Sequence, residues 1–279
     1  MNLSNFTIDF VKKNFSARQR KVIRDLVELR FFAPLLSKRT VLILGCQRSG
    51  TTLTFLLLNS HPQITIFDET ESRFDYPLSA TIYRNWIDGY YTGCKLPTKV
   101  TDIEYIAKYF PHARIIFPIR NPYSVISSMR SLTNSQGSWI DRCAKNELIN
   151  LISLYPEVAN LNLDKLDEVS LGAYIWKYKN LAVEKYREKG LNIFPFKYED
   201  LLENPQKVGT EILNFIGVGW SDNLLEHEKF YQKNKAYAGK TRGDVPLNTS
   251  RKDPKLKLSE SEINAIASIC REPMNTYHY

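Results

Sequence analysis

The chain has 279 residues, 43% hydrophobic and 24% charged, an ordinary globular composition that supports a real core in one large domain or two smaller ones. Its 38 Lys and Arg exceed its 30 Asp and Glu by 8, which favours an anionic ligand over a cationic one. Four scattered cysteines without a C-x-x-C pair exclude a disulfide scaffold and a zinc site. The apolar runs are far shorter than the ~20 residues that span a bilayer, so we expect a cytoplasmic protein with no membrane partner.

The predicted elements alternate between helices and strands along the chain. The patterns predict a basic amphipathic helix over residues 16–30, strands over residues 40–45, 64–67, 114–119 and 192–197, and helices over residues 51–60, 122–132, 171–189 and 205–217, with a last helix after a capping box at Ser259 and Glu262. This alternation favours an α/β fold, here a P-loop-like domain whose central parallel sheet is flanked by helices. We assign residues 1–39 to an N-terminal helical extension and residues 40–279 to the domain itself.

The sequence Gly-Cys-Gln-Arg-Ser-Gly-Thr-Thr at residues 45–52, which we call the phosphate loop, follows the first strand and begins a helix. Backbone N–H groups at such a turn point at an anion, and the helix dipole favours its negative charge. A nucleoside triphosphatase needs Lys where Thr51 stands, whereas here the basic residue comes earlier, at Arg48. The loop therefore predicts a terminal oxyanion that is held without a metal.

A second candidate phosphate site follows the strand over residues 114–119. Arg120 comes directly after that strand, and an Asn-Pro pair begins the next helix. Ser124 and Ser128 are four residues apart, so they lie on the same face of this helix. The guanidinium of Arg120 can form charge-assisted hydrogen bonds with a phosphate, and Ser128 can add a neutral hydroxyl. Two such sites on successive strand-to-helix turns predict a ligand with two anionic groups.

These segments resemble the sulfotransferases that use 3′-phosphoadenosine 5′-phosphosulfate (PAPS) and release adenosine 3′,5′-bisphosphate (PAP). R-S-G-T-T after a strand is similar to their 5′-phosphosulfate loop, and R-N-P followed by Ser is similar to their 3′-phosphate element. The Y-E-D-L segment followed by N-P is similar to the family segment whose Tyr contacts adenine. The resemblance implies PAPS as co-substrate, no metal, and cofactor contacts at Arg48, Ser49, Gly50, Thr51, Thr52, Arg120, Ser128, Tyr198 and Ser250.

The resemblance also implies catalytic residues. The spacing between an H-P pair and an E-T pair is similar to that of the tyrosylprotein sulfotransferases and related bacterial enzymes, in which the Glu before Thr is the general base. We therefore expect Glu69 to be the base, with Glu71 and Asp68 as alternatives. Lys95 resembles the family's Lys that steadies the bridging oxygen and the transferred sulfuryl group, and Arg48 adds positive charge there.

We expect an enzyme that passes the sulfuryl group to a hydroxyl or amine of a small-molecule or carbohydrate acceptor. The segment beside the proposed base carries Asp68, Glu69, Glu71 and Asp75 against Arg73, and this negative rim favours neutral or cationic acceptors. The alternatives are a protein-tyrosine sulfotransferase, a P-loop nucleotide kinase or NTPase, and a non-enzymatic nucleic-acid-binding module. The missing loop Lys counts against the kinase, and the lack of a clustered basic-aromatic strip counts against nucleic acid as a partner.

Overall fold

The computed structural model of the chain describes residues 33–69, 88–247 and 254–279. The helix predicted over residues 16–30 lies outside the described residues, as do Glu71, Asp75 and Ser250. The helices are α1 (Ala33–Leu36), α2 (Thr51–Asn59), α3 (Ile103–Tyr109), α4 (Pro122–Ser131), α5 (Trp139–Leu151), α6 (Glu168–Glu188), α7 (Tyr198–Glu203), α8 (Pro205–Ile216), α9 (Glu260–Ile269) and α10 (Arg271–Thr276). The strands are β1 (Thr40–Ile43), β2 (Ile64–Phe67), β3 (Tyr91–Lys95), β4 (Arg114–Ile119), β5 (Ile193–Lys197), β6 (Ala236–Tyr237) and β7 (Thr241–Arg242).

The first five strands form one sheet in the order β2-β3-β1-β4-β5, and every neighbouring pair is parallel. The central strand β1 is buried along its whole length, as the continuous apolar run in its sequence predicts for a strand covered on both faces. The predicted α/β architecture with a central parallel sheet is therefore confirmed. β6 and β7 pair separately as a short antiparallel hairpin.

Helices pack on both faces of this sheet. Successive side chains of a strand point to opposite faces, so Leu42 lies in the core with α3, α4, α5, α6 and α9, whereas Val41 and Ile43 lie in the core with α2, α7 and α8. Burial of these apolar side chains is the main stabilising contribution of the fold.

Several helix ends agree with the sequence patterns. Pro205 occupies the first turn of α8, and Gly217 ends that helix in the left-handed region at φ 96°. Ser259 and Glu262 form the predicted capping box of α9. In contrast, β3 was not predicted, because Gly93 in its centre weakens the strand pattern.

Gly93 is required where β3 approaches β1. Its Cα is opposite Val41, and a Cβ on residue 93 would lie 1.7 Å from the carbonyl oxygen of Val41. We expect Gly93→Ala to lower the free energy of unfolding by about 3 kcal/mol, because the clash involves backbone rather than a flexible side chain. Chemical denaturation would measure this, with Gly219→Ala as the control, since nothing lies within 4 Å of a Cβ there. Equal stabilities of the two variants would contradict this account of the strand pair.

Candidate functional site

Five of the predicted site elements lie at the carboxyl edge of the sheet. The phosphate loop follows β1, Glu69 follows β2, Lys95 ends β3, Arg120 follows β4, and Tyr198 follows β5. The carboxyl ends of parallel strands meet at one edge, which is where open α/β sheets bind ligands. The fold therefore gathers residues that are far apart in sequence.

Within the phosphate loop, Gly50 is the N-cap of α2 and has a left-handed backbone at φ 99°. The first helical bond runs from the N–H of Thr54 to the carbonyl oxygen of Gly50 at 2.9 Å, and no side chain caps the helix. The N–H groups of the first turn are thus available to an anion. The hydroxyl of Ser49 is buried, and within the described ranges only the weakly polar thiol of Cys46 interacts with it.

Arg48 and Arg120 place two guanidinium groups beside this loop. Arg48 donates from Nε to the hydroxyl of Ser128 at 2.9 Å, and Arg120 donates to the carbonyl oxygen of Arg48 at 3.2 Å. Burial, with the charge of Arg120 second, lowers the pKa of Arg48, but an arginine keeps its charge at neutral pH. In the part of the chain that the structure describes, the hydrogen-bond acceptors of both guanidiniums are hydroxyl or carbonyl oxygens rather than carboxylates. Two neighbouring cations of this kind favour an anionic ligand.

Tyr198 contacts both phosphate elements. A Cβ on Gly50 would lie 2.2 Å from Cδ2 of Tyr198, so only glycine allows the ring to pack this closely on the phosphate loop. The guanidinium carbon of Arg120 lies 4.6 Å from the ring centroid, a cation–π contact. The ring is thus positioned next to the proposed phosphate sites, and its contact with adenine stays a prediction.

The turn that joins β6 to β7 contacts the phosphate loop, and the sequence did not predict this contact. Arg48 donates to the carbonyl oxygen of Gly239 at 2.8 Å, and the hydroxyl of Thr52 donates to the carbonyl oxygen of Ala238 at 3.2 Å. Gly239 has a left-handed backbone at φ 69°, which favours glycine, and a Cβ there would lie 1.8 Å from the guanidinium of Arg48. The glycine-containing sequence Ala-Gly-Lys-Thr-Arg-Gly-Asp at residues 238–244 was the only local sign of this turn, and it does not indicate that the turn packs on the phosphate loop.

Lys95 lies at the centre of a buried ionic cluster. Its Nζ is 2.7 Å from Oδ1 of Asp68, 2.9 Å from Oε1 of Glu69 and 3.3 Å from the hydroxyl of Thr52. The side chains of Lys95 and Asp68 are 1% and 0% exposed, whereas that of Glu69 is 29% exposed. Glu69 is therefore the carboxylate that an acceptor can reach, and Asp68, an alternative base from sequence, is positioned as a counter-ion of Lys95.

Two other groups with possible catalytic chemistry are structural in this fold. Nε2 of His61 lies 3.0 Å from the carbonyl oxygen of Gly219, Nδ1 accepts the N–H of Gln63, and burial lowers the pKa of the imidazole. Burial also raises the pKa of the Cys46 thiol to about 12. Neither group is placed to act as a base or nucleophile at neutral pH.

Two further properties concern the described residues alone. Among residues 33–69, 88–247 and 254–279, no group of three or more His, Cys, Asp or Glu side chains is arranged to hold a metal ion. None of the helices in these same ranges combines the length and the apolar character that crossing a bilayer requires. Ser250, the last predicted cofactor contact, lies outside the ranges.

Known proteins share both the sequence and the fold of this chain. The family model described as "Sulfotransferase family" matches residues 40–88 and 78–222, which is more than half of the chain. Protein-tyrosine sulfotransferase 2 of Gallus gallus is 26% identical over 213 residues, covering 69% of this chain and 55% of the relative. The chain spans about half the length of the curated relatives it matches.

Solved structures share the fold at lower sequence identity. The sulfotransferase domain from the curacin biosynthetic pathway superposes with a TM-score of 0.51 at 17% identity, over 86% of this chain and 97% of that domain. The crystal structure of mouse sulfotransferase SULT7A1 complexed with PAP superposes with a TM-score of 0.50 at 14% identity, over 88% of this chain and 91% of that protein. At these identities the superpositions establish the fold.

Proposed function

The chain belongs to the sulfotransferase family, and we propose that it transfers the sulfuryl group of PAPS to an acceptor hydroxyl and releases PAP. The observation that carries this proposal is the pair of guanidiniums, Arg48 and Arg120, beside the N-terminus of α2, which no side chain caps. PAPS has two anionic parts, the 5′-phosphosulfate and the 3′-phosphate, and the two cationic elements on β1 and β4 suit one each. The PAP bound to the mouse structural relative supports the same ligand class.

The residues present fit such a ligand. The phosphate loop, with the buried Ser49 hydroxyl and the first N–H groups of α2, would hold the 5′-phosphosulfate. Arg120 and Ser128 would hold the 3′-phosphate by side chains alone, because Asn121 already accepts the N–H groups at the start of α4. Tyr198 would contact the adenine beside them.

Glu69 and Lys95 supply the chemistry in this proposal. PAPS provides an activated sulfuryl group, whose bond to the 5′-phosphate oxygen breaks as a bond to the acceptor oxygen forms. Glu69 accepts the proton that the acceptor loses, and the ammonium of Lys95 stabilises negative charge on the departing oxygen. Asp68, whose Oδ1 lies 2.7 Å from the same ammonium, remains its counter-ion when Glu69 is protonated.

For the acceptor we propose a tyrosine side chain of a peptide. Relatives named as protein-tyrosine sulfotransferases, 26% and 23% identical to the chain, support it over the small-molecule or carbohydrate acceptor expected from the sequence. Two of the acidic residues behind that expectation, Asp68 and Glu69, are also paired with a cation. Asp68 is buried against Lys95, and Glu69 pairs with the same ammonium, so the charge of these two carboxylates is partly balanced.

A panel of acceptors tests the proposed chemistry. The protein would be incubated with PAPS labelled in the sulfuryl group and with a tyrosine peptide, a phenol, a monosaccharide and an amine, each at the same concentration. Label should move fastest to the tyrosine peptide. Faster labelling of the sugar or the amine would overturn the proposed acceptor, and no transfer to any hydroxyl or amine would overturn the proposed reaction.

Binding of PAP should depend on both arginines. We expect Arg48→Ala and Arg120→Ala each to weaken PAP binding by roughly tenfold to a hundredfold, since each removes charge-assisted hydrogen bonds to a phosphate. Isothermal titration calorimetry would measure the two affinities, with Arg187→Ala, an exposed arginine paired with Glu184 on α6, as the matched control. Unchanged affinity in both test variants would refute the assignment of the phosphate sites.

A further inference from the structure

A buried lysine outside the proposed catalytic residues contacts two segments of the site. Lys179 lies on α6, and its side chain is 1% exposed. Its Nζ donates to Oε1 of Gln47 at 2.7 Å and to the carbonyl oxygen of Pro97 at 3.1 Å, and it pairs with Oε2 of Glu147 at 2.5 Å. The three acceptors use all three protons that an ammonium can donate.

These acceptors belong to three different parts of the fold. Gln47 is in the phosphate loop, directly before Arg48, and Pro97 follows Lys95 by two residues. Glu147 is on α5, and its negative charge offsets the cost of burying the ammonium of Lys179. One ammonium therefore connects the phosphate loop, which carries Arg48, with the segment that follows Lys95 at the end of β3.

Stability alone does not account for this arrangement. Replacing a buried ion pair by apolar side chains of similar size is often neutral or stabilising, because desolvation of the two charges offsets their attraction. The amide nitrogen of Gln47 is also buried and has no hydrogen-bond partner within the described ranges, so its side chain is held through Oε1. The arrangement retains polar groups that an apolar core would not need.

The loop that Gln47 belongs to needs an anchor. Arg48 has a left-handed backbone at φ 68°, a conformation that is unfavourable for a residue with a Cβ and persists where surrounding contacts hold it. Arg120 holds the carbonyl oxygen of Arg48 on one side, and Lys179 holds the side chain of the preceding residue on the other. Both contacts fix the direction in which the phosphate loop presents its donors.

We propose that Lys179, with its charge balanced by Glu147, is a positioning residue. It holds the phosphate loop through Gln47 and fixes the position of this loop relative to the segment that follows Lys95. For its effect on catalysis, this proposal rests on the proposed function. Without this ammonium, Gln47 and the carbonyl oxygen of Pro97 lose the hydrogen-bond donor that they share. The catalytic side chains themselves are unchanged. Misplacement of reacting groups by about 1 Å is enough to lower turnover by about a hundredfold.

The decisive variant is the double substitution Lys179→Met with Glu147→Gln. Lys179→Met alone leaves the Glu147 carboxylate buried without its cation and is expected to lower the melting temperature, whereas the double variant removes both charges and should recover it. Despite that recovery, we expect PAP binding by calorimetry to be about five- to tenfold weaker than in the wild type, with a raised KM for PAPS and turnover lower by about tenfold or more. The control is Lys145→Met. Lys145 lies on α5, the helix that carries Glu147, and its exposed ion pair with Asp164 is lost in this variant, which should change none of these values.

Hydrogen exchange of the ligand-free protein gives a readout that does not depend on PAPS. The amides of residues 45–52 should exchange faster in the double variant than in the wild type, and Gln47→Met, which leaves the ion pair in place, should show the same change. Wild-type exchange in the double variant and in Gln47→Met would overturn the positioning role, as would wild-type PAP affinity and turnover in a recovered double variant. If the wild type itself fails to bind PAP while exchange still rises in the variants, the proposed function fails and the anchoring of the loop stands.

Discussion

Lys95→Met is expected to lower turnover by about 10²- to 10³-fold and to destabilise the fold at the same time. The catalytic loss follows because the ammonium is the group placed to stabilise charge on the departing oxygen. The loss of stability follows because Asp68, 0% exposed at its side chain, loses the cation 2.7 Å away. Breaking a buried pair in this way typically costs about 3 kcal/mol or more in the free energy of unfolding.

A second substitution separates these two effects. Combining Lys95→Met with Asp68→Asn removes both buried charges, so urea denaturation should give a free energy of unfolding close to that of the wild type. Turnover with PAPS should remain as low as in the single variant. Recovery of turnover together with stability would show that Lys95 acts only in the fold, contrary to its proposed role.

Glu69→Gln is expected to lower turnover by about 10²- to 10⁴-fold with PAP affinity nearly intact. Glutamine keeps the size of the side chain and can still accept the hydrogen bond that Lys95 donates at 2.9 Å. It cannot take a proton from the acceptor, so only the step that needs a base is lost. Single-turnover kinetics with PAPS, together with calorimetry using PAP, would separate these two quantities.

One control variant and one variant of the alternative base make this prediction specific. Glu211→Gln, at an exposed position of α8, should have wild-type turnover. Glu71→Gln examines the alternative base that lies outside the described residues. An inactive Glu71→Gln with an active Glu69→Gln would move the base to residue 71, and full activity in both would exclude a general base from this segment.

The parts of the fold with strong local signals were predictable from the sequence. The apolar runs of β1 and β4, the Pro and Gly at the ends of α8 and the capping box of α9 each depend on neighbouring residues, so the pattern alone contains the information. The order of strand, loop and helix also placed Arg48 and Arg120 after two strands of a parallel sheet, whose carboxyl ends meet at one edge.

The contacts that depend on distant segments could not be predicted in this way. The burial of Lys95 could not be predicted, because Gly93 weakens the sequence pattern of β3 and the side chain becomes buried only when that strand pairs with β1. The pairing of Asp68 with Lys95, and of Gln47 with Lys179, joins residues from different strands and helices. Such pairs leave no periodicity in a single sequence, since their spacing is set by the topology.

The central claim, that this site binds the nucleotide of PAPS, is tested most directly by two calorimetric titrations of the wild-type protein. One titration uses PAP in the presence of EDTA, and the other uses ATP with Mg²⁺. The account predicts saturable binding of PAP without a metal, and markedly weaker binding of ATP, because Thr51 stands where a triphosphatase has its Lys. Tight, magnesium-dependent binding of ATP with no binding of PAP would contradict it.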